Sequence, residues 1–222
     1  MYLLAKNGKS SLRGKDATFV KRYLLISGYR SLFRGATAIN TYVNAVRNAR
    51  GDFARRCRAL FERIPANRLY KVRKDDVRNA AGLYSPFLMQ TYLAFLYAND
   101  AKSWPSGRLL KHVLHENLPV DPLAVHHIFP KKFMQELDFP LDRLNSAANY
   151  AVLSQADNAE LGDRDPFDVW RTLRQNQREC ASQQLCFIGK DDLLKHEAYD
   201  EFIDFRAGKM AEQLNEFLGL GT

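Results

Sequence analysis

Two short apolar segments in the second half of the chain constrain its fold more than any other feature. One, over 123–128, stops at Pro130, and the other, over 150–153, follows about twenty residues later. Short apolar stretches of this kind are typical of strands. Ser154 can then cap a helix over 155–161, because its hydroxyl can accept a hydrogen bond from the first helical turn. The order of strand, excursion, strand and helix predicts a small β-β-α unit.

The remainder of the sequence indicates helices. In the first half, apolar residues recur at helical spacing after two possible N-caps, Thr37 and Asp52. In the second half, Asp165-Pro166 is a strong helix start, and an apolar stripe before Gly219 predicts the last helix. Two further helices are expected over 17–33 and 86–97. The predicted fold class is mostly α with a small α+β (ββα) core.

A change in composition divides the chain. Between residues 99 and 122, aspartate, proline and glycine interrupt the helical pattern. We therefore expect two regions. The first, over 1–104, is basic and helical, and the second, over 105–222, holds the β-β-α unit and the closing helices.

Positive charge is concentrated in the first third of the chain. Residues 1–78 contain 19 Lys and Arg against 5 Asp and Glu, a net charge of +14, whereas the remainder has 14 against 20, a net charge of −6. Such asymmetry is expected of a surface that meets a polyanion, since each neutralised phosphate releases counterions. Arg55 and Arg56, within a cluster of arginines, are candidate contacts to nucleic acid. The alternative is a solvated helix face in a cationic protein.

Several protein classes are disfavoured by the composition. The longest apolar run, 82–98, is broken by polar residues and a proline, so it predicts a buried helix rather than a membrane span. The N-terminal segment is too short, and too quickly followed by basic residues, for a secretory signal. Three cysteines without a C-x-x-C pair argue against a disulfide framework and a structural zinc site. We expect a cytoplasmic protein with no membrane partner.

Four residues of the β-β-α unit could converge on one site. His126 and His127 end the first strand, where adjacent side chains point to opposite sides, so one imidazole could bind a cation while the other faces a substrate. Asn149 opens the second strand, and Asn158 lies 9 residues later on the capped helix. Each residue alone has an ordinary alternative: adjacent histidines are often incidental surface residues, and either asparagine could serve a turn or a cap.

The segments HHIFPKKF and NYAVLSQADNAELGDRDP resemble the HNH motif in the C-terminal domain of GmrSD-type restriction proteins. The step of 9 residues also resembles the spacing between the central Asn and the distal ligand in colicin-type DNases. The closing segment over 185–218 is similar to that of the restriction family, so the resemblance covers roughly 104–218. It implies an HNH (ββα-metal) nuclease domain over 105–222, acting as a DNA endonuclease of a restriction or phage-defence system.

The resemblance also implies a role for each of the four residues. His126 and Asn158 would bind one divalent cation, His127 would be the general base, and Asn149 would fix the orientation of His127 by hydrogen bonding across the loop. Two protein ligands, one of them an amide oxygen, favour Mg²⁺ or Mn²⁺, which keep several waters. The imidazole leaves Zn²⁺, Ni²⁺ and Co²⁺ open.

Residues around the motif include possible contacts to phosphates and differences from the family pattern. Lys131 and Lys132 could reach flanking phosphates, or they could be a solvated pair. His126 stands where many members of the family have Asp, and Ala148 stands where Gly is usual. The D-G-Q-Q-R signature of the family's N-terminal NTP-binding domain is not found in the sequence. We therefore expect a separate NTP-binding subunit or domain as a partner, besides DNA.

Two other functions stay open. The chain could be a non-catalytic nucleic-acid-binding or regulatory module with an HNH-like fold, as the missing NTP-binding signature and the basic N-terminal region suggest. It could also be a structural subunit whose helices dock a partner chain. A zinc protease is disfavoured, because His112-x-x-His115-Glu116 matches neither H-E-x-x-H nor H-x-x-E-H.

Overall fold

A computed structural model gives the fold of the chain. The structure describes residues 14–29, 35–64, 71–80, 86–111, 122–186 and 190–220. These residues form many helices and one two-stranded antiparallel sheet, which confirms the predicted mostly-α class with a small α+β part. His112, His115 and Glu116 lie outside the described residues. Among the helices within these ranges, none combines the length and the apolar character needed to cross a membrane.

The chain divides into two compact units. The first comprises residues 1–71 together with 218–222, and the second comprises residues 72–217. The boundary expected between residues 104 and 105 lies inside the second unit, and the division into 1–104 and 105–222 stays a prediction. Each unit is described by itself below.

The first unit is built on packed aromatic rings. Its described helices are α1 (Gly14–Tyr29), α2 (Ala36–Asn48) and α3 (Phe53–Phe61). The ring of Tyr23 on α1 meets the rings of Tyr42 on α2 and Phe61 on α3 edge to face, with centroids 6.2 and 5.6 Å apart. Edge-to-face pairs of this kind stabilise a core beyond the apolar area that they bury. All three helices thus share one small core.

The two predicted N-caps of the first unit have different outcomes. Asp52 caps α3 as expected, because its carboxylate accepts a hydrogen bond of 2.9 Å from the backbone N–H of Arg55. The Thr37 prediction is wrong: the N-cap is Gly35, two residues earlier, and α2 begins at Ala36. The φ of Gly35 is 86°, in the left-handed region that glycine adopts without a steric penalty.

The second unit surrounds the sheet with short helices. In chain order its elements are α4 (Lys74–Arg78), α5 (Pro86–Ala98), β1 (Leu123–His127), α6 (Lys131–Glu136), β2 (Tyr150–Ser154), α7 (Gln155–Leu161), α8 (Pro166–Thr172), α9 (Gln175–Gln183) and α10 (Tyr199–Leu218). Short 3₁₀ turns lie at Leu141–Leu144, Ala147–Asn149, Asp191–Leu194 and His196–Ala198. The expected caps are confirmed: Ser154 accepts from the N–H of Asp157 at 3.2 Å, and Asp165 accepts from that of Phe167 at 2.8 Å.

The two strands pair antiparallel, with Val125 opposite Val152 and His127 opposite Tyr150. Every residue of β2 is buried, whereas β1 is only partly covered. The buried strand therefore serves as the base on which β1 presents its side chains.

The last helix packs along the middle of the second unit. The ring of Phe129, just after β1, contacts the rings of Tyr199 and Phe202 on α10 at 5.2 and 5.1 Å. Farther along α10, the ring of Phe217 contacts that of Phe95 on α5 at 5.9 Å. One helix therefore ties the end of β1 to the helical part of the unit.

Candidate active site

The end of β1 places two imidazoles on opposite sides of one strand. His126 is buried, with 7% of its surface exposed, whereas His127 is only partly covered. The antiparallel register sets His126 opposite Ala151 and His127 opposite Tyr150. Since neighbouring side chains of a strand alternate between its faces, the two rings have different neighbours and can do different chemistry.

His126 faces helix α7. Its Nδ1 lies 3.0 Å from Oδ1 of Asn158, within hydrogen-bonding distance. The pKa of His126 is lowered to about 4, because burial disfavours the charged ring, and the contacts with Asn158 and Asp163 oppose this only in part. The imidazole is therefore neutral near pH 7, the form that can bind a metal.

The same two atoms fit a shared cation. Adjacent ligand atoms of an octahedral ion with bonds of about 2.1 Å lie about 3.0 Å apart. Nδ1 of His126 and Oδ1 of Asn158 already have that separation. The donor set, one imidazole nitrogen and one amide oxygen, suits a small divalent ion that keeps most of its waters.

A buried carboxylate fixes the helix that carries Asn158. Asp157, its neighbour, is 4% exposed and accepts hydrogen bonds from the hydroxyls of Ser103 and Ser106, the latter at 2.7 Å. The hydroxyl of Ser103 also accepts from the backbone N–H of Ser154, where β2 meets α7, at 3.0 Å. These bonds hold α7 from the side away from the cleft, which leaves Asn158 directed at His126. The sequence pattern did not single out Asp157 or the two serines.

His127, the predicted base, contacts an aromatic ring and an amide. Its ring meets that of Tyr150 edge to face, with centroids 4.6 Å apart. Burial, followed by the effects of Lys131 and His126, lowers the pKa of His127 to about 4, and the interaction with Asn145 opposes the shift. His127 is consequently a neutral imidazole at pH 7, as a proton acceptor must be.

Asn145 lies beside His127. Its interaction with the ring favours the protonated form and so opposes the lowering of the pKa of His127. Nε2 of His127 is buried and has no hydrogen-bond partner among the described residues. The hydroxyl of Tyr150 donates to Oδ1 of Asn145 at 3.5 Å. Sequence reasoning missed Asn145, which lies in the excursion between the two strands.

The side chain of Asn149, the predicted orienting residue, forms hydrogen bonds with the backbone. It is fully buried, and its Nδ2 donates to the carbonyls of Phe129 and Leu144 at 3.2 and 3.0 Å. Its Oδ1 accepts from the N–H of Phe129 at 2.9 Å, and its carbonyl accepts from the N–H of Ile128 at 2.8 Å. The side chain thus closes the excursion between the strands just after His127. Any effect of Asn149 on His127 passes through the backbone, so it is a positioning residue.

A buried arginine donates hydrogen bonds to the backbone on both sides of Asn149. Arg206 on α10 has no exposed surface, and it donates to the carbonyls of Ala148 at 2.6 Å and Tyr150 at 2.8 Å, one on each side of Asn149. It also donates to the carbonyl of Leu185 at 2.6 Å. The guanidinium therefore satisfies carbonyls that would otherwise be buried without a partner. No sequence pattern pointed to Arg206.

An open cleft of about 340 Å³ gathers half of the predicted site residues. Its lining includes His126, His127, Asn158, Lys131 and Asp163. Lys131 begins α6, so its ammonium group can reach an anion in the cleft. Asp163, which follows α7 within the segment that carries the resemblance, was not among the predicted site residues.

Four predicted residues lie elsewhere. Asn149 and Lys132 are not in the lining of the cleft, and Lys132 is exposed on α6. Arg55 and Arg56 belong to the first unit. Arg56 is partly covered, and its Nε donates to the carbonyl of Ala49 at 3.3 Å.

A metal site rich in acidic and histidine ligands is not found in the part of the chain that the structure describes: no three His, Cys, Asp or Glu side chains are grouped to hold an ion. A centre of one imidazole and one amide is a sparser arrangement than such a group. No family model, curated protein or solved structure matches the chain.

Proposed function

We propose that the chain is a metal-dependent DNA endonuclease of the HNH type. The observation that carries the proposal is the distance of 3.0 Å between Nδ1 of His126 and Oδ1 of Asn158, in a cleft that His127 also lines. The end of β1, the hydrogen bonds of Asn149 and the capped helix α7 position these side chains. The same arrangement follows from the resemblance of the segments around His126 and Asn158 to the HNH motif of GmrSD-type restriction proteins.

Hydrolysis of a phosphodiester requires a proton acceptor for the attacking water. Neutral His127 can take that proton, and Asn145 stabilises the ring once it is charged. Lys131 lies beside the cleft and can bind a non-bridging phosphate oxygen. Asn149 keeps the end of β1 in place through the backbone of Phe129.

The proposed cofactor is one divalent cation held by His126 and Asn158. When bound, it would offset negative charge on the scissile phosphate and on the leaving oxygen. We propose Mg²⁺, with Mn²⁺, Zn²⁺, Ni²⁺ and Co²⁺ as the alternatives that an imidazole ligand permits. Neutral His126 carries no net charge that would repel a cation, and binding through Nδ1 requires the proton that Oδ1 of Asn158 accepts from Nδ1 to move to Nε2.

The proposed setting is a restriction or phage-defence system in the cytoplasm, with DNA as the substrate. This part of the proposal follows from the resemblance to the restriction family, whose NTP-binding signature the sequence lacks. A separate NTP-binding subunit or domain is the corresponding partner.

A non-catalytic nucleic-acid-binding or regulatory module is the second candidate. One observation favours it: Nε2 of His127 is buried, so a water cannot reach it in the described arrangement. An endonuclease needs the neighbouring side chains to move when the substrate enters, whereas a binding module does not.

Cleavage of DNA by matched histidine variants separates the two candidates. The full-length protein is incubated with supercoiled plasmid and each of the five cations, or with EDTA. We expect cleavage that requires a cation, and a loss of at least about 100-fold in rate for His127→Ala, since a positioned base contributes on the order of 10²–10⁴. His196→Ala, which removes a partly exposed imidazole of a 3₁₀ turn, is the matched control.

Two further measurements test whether His127→Ala loses only the proposed base. Circular dichroism shows whether His127→Ala is folded, and Mn²⁺ titration shows whether it still binds a cation. Cleavage at the wild-type rate by a folded His127→Ala would contradict the proposed base. Binding of DNA without cleavage under any of the cations would favour the non-catalytic module.

A further inference from the structure

A groove in the first unit is lined by arginines. It has a volume of about 490 Å³ and lies between the end of α2 and the outer face of α3. Arg55 and Arg58 share one face of α3, Arg50 precedes the helix, and Arg63 follows it. The floor consists of small side chains: Ala45, Ala49 and Ala59. Four guanidinium groups thus surround a shallow depression without a large apolar side chain.

The positive charge of this groove is poorly compensated. Among the described residues, Arg50, Arg55, Arg58 and Arg63 form no ion pair with a carboxylate, and Glu62 is the acid in the lining. The first unit as a whole has 16 Lys and Arg against 3 Asp and Glu. Like charges gathered on one helix face repel each other, so the cluster costs stability unless an anion binds there.

Some surface arginines of the second unit form ion pairs. Arg78 pairs with Asp204 at 3.3 Å, and Arg143 pairs with Asp200. Both are ordinary exposed ion pairs within one protein. The four arginines of the groove lack such partners and also lie close together around one depression.

Arg55 lies against the backbone of a glycine. The backbone of Gly51 has a φ of 115°, and a Cβ built on it would lie 2.9 Å from Cδ of Arg55. The aliphatic part of Arg55 consequently rests against a backbone that only glycine leaves open. The adjacent Asp52 caps α3 by accepting from the N–H of Arg55, which fixes the start of the helix. The backbone from which Arg55 extends into the groove is thus fixed by the cap.

We infer that this groove binds the phosphodiester backbone of nucleic acid. A guanidinium offers two parallel N–H donors to phosphate oxygens, and several of them along a groove match consecutive phosphates. Contacts to the backbone carry no base information, so binding is independent of sequence. An anionic membrane surface fits less well, because the lining lacks the large apolar side chains that insert below lipid headgroups. The inference concerns binding alone and does not depend on cleavage by the second unit.

The test measures DNA binding in EDTA, where cation-dependent cleavage cannot occur. Fluorescence anisotropy of a labelled 20-base-pair duplex is followed at several salt concentrations with the full-length protein. For Arg55→Ala/Arg58→Ala we expect binding about tenfold weaker near 0.1 M salt, and a slope of log K against log salt that is smaller by about two. Arg55→Lys/Arg58→Lys keeps the charge and loses the bidentate donors, so it should bind about twofold to threefold more weakly with an unchanged slope.

The control removes the same charge elsewhere in the same unit. Lys15→Ala/Arg47→Ala alters two exposed residues of α1 and α2 outside the groove, and it should weaken binding by less than about threefold. An equal loss in this control, or wild-type binding by both groove variants, would overturn the inference. So would binding to phosphatidylserine vesicles by a protein that does not bind the duplex. If the groove variants lose affinity and the wild type never cleaves DNA, the inference holds while the endonuclease proposal fails.

Discussion

The two units of the chain use polar residues in opposite ways. The first has a net charge of +13 and exposes the four arginines of its groove, whereas the second has 17 Lys and Arg against 22 Asp and Glu, a net charge of −5, and buries Asn149 and Arg206. Exposed like charges act together and tolerate the loss of any one of them. Buried hydrogen bonds depend on single atoms, because an unpaired buried group costs about 1–3 kcal/mol. The difference suggests that binding by the first unit is robust and that the candidate site of the second is fragile.

The largest expected effect comes from replacing one amide by a carboxylate in each unit. Asn149→Asp places a buried carboxylate against the carbonyls of Phe129 and Leu144 and removes both donors. We expect a loss of at least about 3 kcal/mol in the free energy of unfolding. Asn48→Asp, at an exposed position of α2, should change it by less than about 0.5 kcal/mol. Urea denaturation measures both, and equal effects would break the comparison.

Acid should act on the second unit, because all five histidines of the chain lie between residues 112 and 196. The pKa values of His126 and His127 fall from 6.5 to about 4 on folding. Between these two values, His126 and His127 bind protons in the unfolded chain and stay neutral in the folded chain. The stability present above pH 6.5 is therefore lost as the pH falls towards 4, by about 1.4 kcal/mol per pH unit for each histidine.

Thermal unfolding in EDTA at pH 7, 6, 5 and 4 measures this loss. The variant His126→Asn/His127→Asn lacks both rings and should lose less stability than the wild type over the same range. Parallel curves for the two proteins would show that other groups cause the acid effect.

The smallest expected effect concerns Asp163. Its carboxylate lines the cleft and attracts a charge at His126, but it is exposed, so solvent screens it. Asp163→Asn should weaken Mn²⁺ binding by about twofold to fivefold, the range of an exposed charge pair. Glu160→Gln, an exposed residue of α7 outside the cleft, is the control. Calorimetric titration with Mn²⁺ gives both constants; a loss above about 100-fold would identify Asp163 as a direct ligand.

Local signals carried the successful part of the sequence interpretation. Asp52, Ser154 and Asp165 cap the helices that their sequence neighbours predict, because a cap involves residues only two or three apart. The Thr37 prediction failed because Gly35 can start the helix without a side-chain acceptor, and sequence alone does not choose between two such starts.

The candidate site was predictable only as far as its motif extends. Strand alternation separates His126 from His127, and the step of 9 residues brings Asn158 to His126. The residues that hold the site came from elsewhere: Asn145 lies in the excursion, and Arg206 reaches Ala148 across 58 positions of sequence. Such contacts depend on how the elements pack, which no local pattern encodes.

The edge of β2 that β1 does not cover has a consequence for the behaviour of the protein at high concentration. The side chain of Gln184 donates to the carbonyl of Val152 at 2.7 Å and accepts from its N–H at 2.9 Å, as a third strand would. An unprotected strand edge is a template for pairing with another chain. One glutamine amide binds both backbone groups of Val152, so β2 does not offer them to another molecule.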